Sequence, residues 1–241
     1  MIKQLQVVLV LLTTISGCTK KATTLPATTD HKTSTIKMTT DSLTYLALGD
    51  SYTIGEAVPQ SQSFPYQLSS ALTLASVPAA HPTIIATTGW TTDNLINAIA
   101  NSGVNNKKYD FVTLLIGVND QFQGLSQNNY QVKFAQVLHT AINFANGDTT
   151  RVFVLSIPDY GVTPFAGGND SVIGPQIDQF NIVNKAESMK AGVHYLDITG
   201  ISRQAATDPS LIAPDGLHPS GKMYGLWIQK LEPLIAARLK K

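Results

Sequence analysis

A chain of 241 residues in which 43% are hydrophobic and 14% are charged can bury a sizeable core, which excludes a disordered or fibrous protein and suits one globular domain. Lys and Arg number 17 against 16 Asp and Glu, for a formal charge of +1. That balance offers no broad basic field, so no nucleic-acid partner is expected.

At the amino terminus Lys3 precedes an apolar stretch, Val7 to Leu12, which is laid out like a secretory signal and is too short to span a bilayer as a helix. The stretch runs into Ile15-Ser16-Gly17-Cys18, which resembles the signal of bacterial lipoproteins, where cleavage leaves the cysteine as the lipid-bearing first residue. Cys18 is the only cysteine, so it has no intrachain disulfide partner. A plain signal peptide followed by an incidental cysteine is the alternative. Residues 1–17 are therefore expected to be a signal peptide. Residues 18–41, rich in Thr, Lys and Ala, lack the large apolar residues needed to offset the entropy of ordering and read as a flexible tether. The folded domain is expected over 42–241. The lipoprotein resemblance implies export to the cell envelope and membrane attachment through Cys18.

The domain opens on Leu43 to Ser51, an apolar run ending in Gly49-Asp50-Ser51, the pattern of a buried parallel strand that delivers a serine to its carboxyl end. A loop through Val58 and Pro59 follows. Ser63 is a plausible N-cap with Pro65 in the first turn, and Phe64, Leu68, Leu72 and Ala75 share one helical face. Thr83 to Ala86 predicts the second strand, stopping at Thr88-Gly89. Leu95, Ile96 and Ile99 predict the next helix, starting near Thr92 or Asp93 and ending before Gly103.

Phe111 to Ile116 is a third strand, closing at Gly117-Val118-Asn119-Asp120. Tyr130, Phe134, Val137, Leu138 and Ala141 then mark an amphipathic helix that Gly147 stops. Val152 to Ile157 predicts a fourth strand, residues 158–172 a loop, and Ile177 with Phe180 a weaker helix. Val193 to Ile198 predicts the fifth strand. Met223, Trp227, Leu231 and Leu234 share a face of the last helix, which Pro233 should kink or split. Apolar strands alternating with helices imply right-handed βαβ units, hence a three-layer α/β/α sandwich around a five-stranded parallel sheet.

Four polar clusters then lie where strands end or before the last helix: Ser51, Gly89, Asn119, and Asp215 with His218. The carboxyl ends of parallel strands share one edge, so these clusters can converge. A serine hydroxyl needs a base to take its proton, and a neutral imidazole, whose ordinary pKa is about 6.5, suits that task. His218 is the candidate base. Asp215, three residues earlier, can reach its other ring nitrogen. The Ser51 and Gly89 backbone N–H groups and the Asn119 amide are candidate donors to an oxyanion.

These blocks resemble the SGNH hydrolases, also called GDSL esterases and lipases. Gly49-Asp50-Ser51 matches the first block, Gly89 with Thr91 the second, Gly117-Val118-Asn119-Asp120 the third, and Asp215-Gly216-Leu217-His218 the last, in the family's order. Two positions depart from the family: Ile85 stands where many members carry Asn, and Tyr52 where they carry Leu. The resemblance implies a flavodoxin-like fold, a Ser51 nucleophile, His218 as base, Asp215 as its orienter, and Gly89 and Asn119 in the oxyanion hole.

His31, His81, His139 and His194 lack the paired spacing of a metal site, and no dinucleotide or phosphate-binding motif is present, so no metal or cofactor is expected. Asp50 and Asp120 read as holding loop backbone, while Trp90 could line the pocket or pack. A serine esterase acting on acyl-chain or lysophospholipid-like esters as a monomer is the leading expectation. A carbohydrate O-acetyl esterase and a non-catalytic surface binding lipoprotein are the alternatives. Apolar residues of the loops (Ile54, Val58, Phe122, Leu125, Tyr160, Val162, Pro164, Phe165) are expected to wall an acyl pocket for chains longer than acetyl.

Overall fold

The computed structural model describes residues 42–240. The expected signal peptide, tether, Cys18 and His31 lie outside them. Five strands, β1 (Tyr45–Gly49), β2 (Thr83–Ala86), β3 (Phe111–Leu115), β4 (Val152–Leu155) and β5 (His194–Leu196), form one parallel sheet in the order β2-β1-β3-β4-β5. β1, β3 and β4 are buried along their whole length, as central strands covered on both faces must be. Inside, the Tyr45 and Phe111 rings stack at 4.3 Å between centroids, and the Tyr45 hydroxyl shares a 2.7 Å hydrogen bond with Thr113.

The helices are α1 (Ser51–Ile54), α2 (Phe64–Leu74), α3 (Thr92–Asn101), α4 (Val118–Phe122), α5 (Gln127–Phe144), α6 (Asp170–Ala191), α7 (Thr199–Ser202) and α8 (Gly221–Leu239). α2 packs with α8, while α3 and α6 both pack on α5. Right-handed crossovers in this strand order put these two groups on opposite faces, giving the α/β/α sandwich. Among the described residues no helix is long and apolar enough to cross a membrane.

The sequence expectations hold for the sheet and differ at several ends. α3 starts at Thr92, with Thr91 as its N-cap in a capping box with Asn94. Ser63 occupies the N-cap position of α2 but spends its hydroxyl on the Gln60 carbonyl, at 2.9 Å. β4 stops two residues short of Ile157 because Asn181 takes over that residue's backbone, bonding its N–H at 2.7 Å and its carbonyl at 3.0 Å. β5 is confined to three half-buried residues at the sheet edge.

α8 runs unbroken through Pro233, contrary to the expected split. The proline faces solvent, and the carbonyl it leaves without a helical partner belongs to exposed Gln229, where water can serve it. The buried face of α8 continues through Ile235 rather than Leu234, which is half-buried.

Candidate active site

The register sets the site. Gly49 at the end of β1 pairs with Ala86 at the end of β2 and with Leu115 at the end of β3. Ser51, Gly89 and Asn119 therefore leave three aligned strands within four residues of their ends. The β1/β3 boundary is also where the chain reverses its direction of travel across the sheet, the crevice where open α/β folds bind ligands. A side chain at Gly49 would strike the Leu115 carbonyl and the Thr53 hydroxyl, so only glycine lets the serine turn follow the strand so tightly.

Asp50 is the N-cap of α1, its Oδ1 accepting the Tyr52 N–H at 3.0 Å, and this places Ser51 at the first helical position. The other carboxylate oxygen is buried without a partner. Burial pushes the Asp50 carboxyl up to about 8 despite that hydrogen bond, and the nearby Asp120 adds to the rise.

Gly89 adopts φ +80° in the turn Thr87 to Trp90, a conformation that favours glycine. Neither the Ser51 nor the Gly89 N–H is spent on a turn hydrogen bond among the described residues, so both remain available as donors. α4 holds this turn with two consecutive residues. The Asn119 amide donates to the Trp90 carbonyl at 2.9 Å, leaving a second N–H free to donate. Asp120 Oδ2 accepts both the N–H and the hydroxyl of Thr92 at 2.9 Å. Burial raises the Asp120 carboxyl to about 6, against the pull of the Thr92 bonds. Asp50 and Asp120 thus hold backbone, as their positions suggested.

Asp215 serves three donors within its own loop. Its Oδ1 accepts the Leu217 and His218 N–H groups at 3.0 Å each, and its Oδ2 meets His218 Nδ1 at 2.6 Å. The spacing of three residues works because the carboxylate closes the loop and orients the ring together. Burial opposes ionisation here, but the bonds from the His218 ring and the two amides outweigh it and hold Asp215 below the ordinary carboxylate range. His218 is buried, with the edge of its ring 5.4 Å from Tyr52 between centroids, and Tyr52 is in turn pinned through its carbonyl by the Tyr224 hydroxyl at 3.0 Å.

The structure brings all five expected residues together. Ser51, Gly89, Asn119 and His218 line one cavity of about 120 Å³, with Asp215 directly behind His218. Of the expected apolar wall, Phe122, Tyr160 and Phe165 line it, packed ring against ring at 6.1 to 6.4 Å. Ile54, Val58, Leu125, Val162 and Pro164 do not. Val58 and Val162 pack against the core instead, and Pro164 lies against Gly216. Tyr52, Thr88, Val118 and Leu217 complete the lining. Each adjoins a residue of the motif blocks, and that adjacency was the available signal. Trp90 is not in the wall; it packs on the core and contributes its carbonyl to Asn119. Among the described residues, no group of three or more His, Cys, Asp or Glu is placed to hold a metal ion.

No curated protein matches the sequence. Among solved structures, the chain superposes on the psychrotrophic esterase EstA from Pseudoalteromonas sp., in a form inhibited by monoethylphosphonate, with TM-score 0.63 at 15% identity, covering 83% of this chain and 100% of that one. The lipase/acylhydrolase from Enterococcus faecalis gives 0.61 at 18% identity over 82% and 97% of the two chains. Axe2, an acetylxylan esterase from Geobacillus stearothermophilus, gives 0.59 at 16% identity over 83% and 94%. These likenesses establish the fold. The model of the GDSL-like Lipase/Acylhydrolase family matches residues 47–226, from within β1 into α8 and across every block of the site, and on that match the chain belongs to this family.

Proposed function

We propose that this chain is a serine ester hydrolase that works through an acyl-enzyme on Ser51. The observation carrying the reading is the convergence of Ser51, the Asp215–His218 pair and three free donors on one cavity. His218 Nε2 takes the proton of Ser51 Oγ as the oxygen bonds to the ester carbonyl carbon. The carbonyl electrons move to the oxygen, which the Ser51 and Gly89 N–H groups and the Asn119 amide receive. Asp215 steadies the imidazolium. Collapse breaks the ester C–O bond and His218 returns the proton to the leaving alcohol. Water, deprotonated by the same histidine, then adds to the acyl carbon; the bond to Ser51 Oγ breaks, His218 returns the proton to that oxygen, and the acid leaves.

The apolar wall of Phe122, Tyr160 and Phe165 supports acyl groups longer than acetyl, since each buried methylene is worth up to about 0.8 kcal/mol. A cavity of about 120 Å³ favours short chains, because it is small against the roughly 300–1,000 Å³ of pockets that enclose drug-sized ligands. The likeness to an acetylxylan esterase keeps a sugar deacetylase as the second reading. Acetyl, butyryl, hexanoyl and octanoyl esters of one alcohol distinguish them: kcat/KM is expected to peak at butyryl or hexanoyl. A steady fall from acetyl onward would move the deacetylase to first place.

The same proposal places the enzyme in the cell envelope as a monomer tethered by a lipid on Cys18. Its support is the stretch Ile15-Ser16-Gly17-Cys18 and the absence of any other cysteine. Mass spectrometry of the mature N-terminal peptide is expected to find Cys18 lipidated; a mature chain with an unmodified N-terminus elsewhere contradicts the anchor.

A further inference from the structure

The charge around the cavity is one-sided. Apart from His218, no residue lining it is basic. Two carboxylates are hydrogen-bonded to lining side chains: Asp215 to the His218 ring, and Glu56, whose Oε2 accepts the hydroxyl of Thr88. The other acidic groups nearby are committed elsewhere. Asp159 is neutralised by Arg203 at 2.9 Å, Asp120 is held on Thr92, and Asp50 is buried beneath the serine turn.

Glu56 differs from these in position and freedom. It is half-buried, bonded to an exposed residue of the cavity rim, and it makes no salt bridge to any described residue. It is also held at its backbone, where its N–H donates to the Ser51 carbonyl at 3.1 Å. The nucleophile's own helix thus fixes one end of Glu56 and the rim next to Gly89 fixes the other. A carboxylate so placed repels an anionic substrate entering the cavity and attracts a cationic one. Within the same cavity Phe122 and Phe165 are 57% and 53% exposed, which leaves aromatic faces open to an ammonium group.

We infer that Glu56, held by Thr88, is a specificity-determining residue that turns the cavity toward esters bearing an ammonium group and away from esters bearing a carboxylate. This rests on the serine-esterase reading above. The role is electrostatic selection of the substrate and leaves the bond-making steps unchanged.

The test uses three esters of one short acyl chain, with a neutral, a quaternary-ammonium and a carboxylate-bearing alcohol. kcat/KM is measured for the wild type, Glu56→Gln and Thr88→Val, each normalised to the neutral ester on the same variant. The wild type is expected to favour the ammonium over the carboxylate ester, and Glu56→Gln to shrink that ratio by roughly three- to thirty-fold at low ionic strength. The ratio should also shrink in the wild type as salt is added. Thr88→Val keeps the charge but frees it, so its ratio should fall part of the way, through KM more than kcat. A ratio that is the same in Glu56→Gln and wild type overturns the inference while the esterase reading stands. Absence of Ser51-dependent hydrolysis of the neutral ester overturns the esterase reading, and this inference with it.

Discussion

Asp50 stands one residue before the proposed nucleophile, and its protonation state sets the charge buried at the start of the serine turn. Because burial lifts its carboxyl to about 8, Asp50 is mostly neutral at pH 7, and it ionises only as the medium turns alkaline. An ionised carboxylate at the start of the serine turn would oppose negative charge forming at the Ser51 N–H. The rate is therefore expected to fall, by roughly two- to ten-fold, as Asp50 ionises above about pH 8. Asp50→Asn keeps an oxygen for the Tyr52 N–H and removes the titration. Its pH–rate profile should lose the descending limb, and an unchanged limb would show that another group causes it. The folded state holds the Asp50 proton more tightly than the unfolded chain, so this contribution to stability is complete below the ordinary value of 3.8 and is lost as pH rises through about 8.

Turns and short helices supply the proposed oxyanion donors, and their backbone geometry makes separable demands. At φ +80° Gly89 sits where an L side chain costs about 1–3 kcal/mol, yet an added Cβ would meet no atom within 4 Å. Gly89→Ala can thus relieve strain only by turning the peptide, which carries the N–H away from the cavity. A loss in kcat of roughly 100- to 1,000-fold is expected beside a small loss of stability. Wild-type kcat in a folded Gly89→Ala variant would remove Gly89 from the donor set.

Elements were legible in the sequence where apolar periodicity and backbone punctuation agreed, and obscure where polar residues were buried. α5 announced itself through Tyr130, Phe134, Val137, Leu138 and Ala141, all buried. α6 is longer, at 22 residues, but reads weakly because its inward face carries Asn181, Asn184, Glu187 and Ser188 and its first turns contain Gly174 and Pro175. Asn181 spends itself on the Ile157 backbone and Asn184 on the Tyr130 hydroxyl, partners that only the folded chain supplies. Ser51, Gly89 and Asn119 could be picked out because glycine, aspartate and asparagine mark strand ends, and Asp215 with His218 because the four blocks together resemble the SGNH pattern in order. The pocket wall was only half legible, since nothing local separates Val162, which turns into the core, from Tyr160, which lines the cavity.

Across the whole molecule, residues from 51 to 218 reach one cavity because a parallel sheet puts all its strand ends on one edge. The strand order β2-β1-β3-β4-β5 opens the crevice between β1 and β3, and α4 and the Asp215 loop close around it. On the proposed function, this convergence makes Ser51 the nucleophile. Treatment of the purified protein with a serine-reactive phosphonate, followed by peptide mass mapping, tests it most directly. One equivalent bound to Ser51, ester hydrolysis lost in step with labelling, and no adduct on Ser51→Ala are expected. An adduct on another residue, or near wild-type hydrolysis by Ser51→Ala, would rule Ser51 out as the nucleophile.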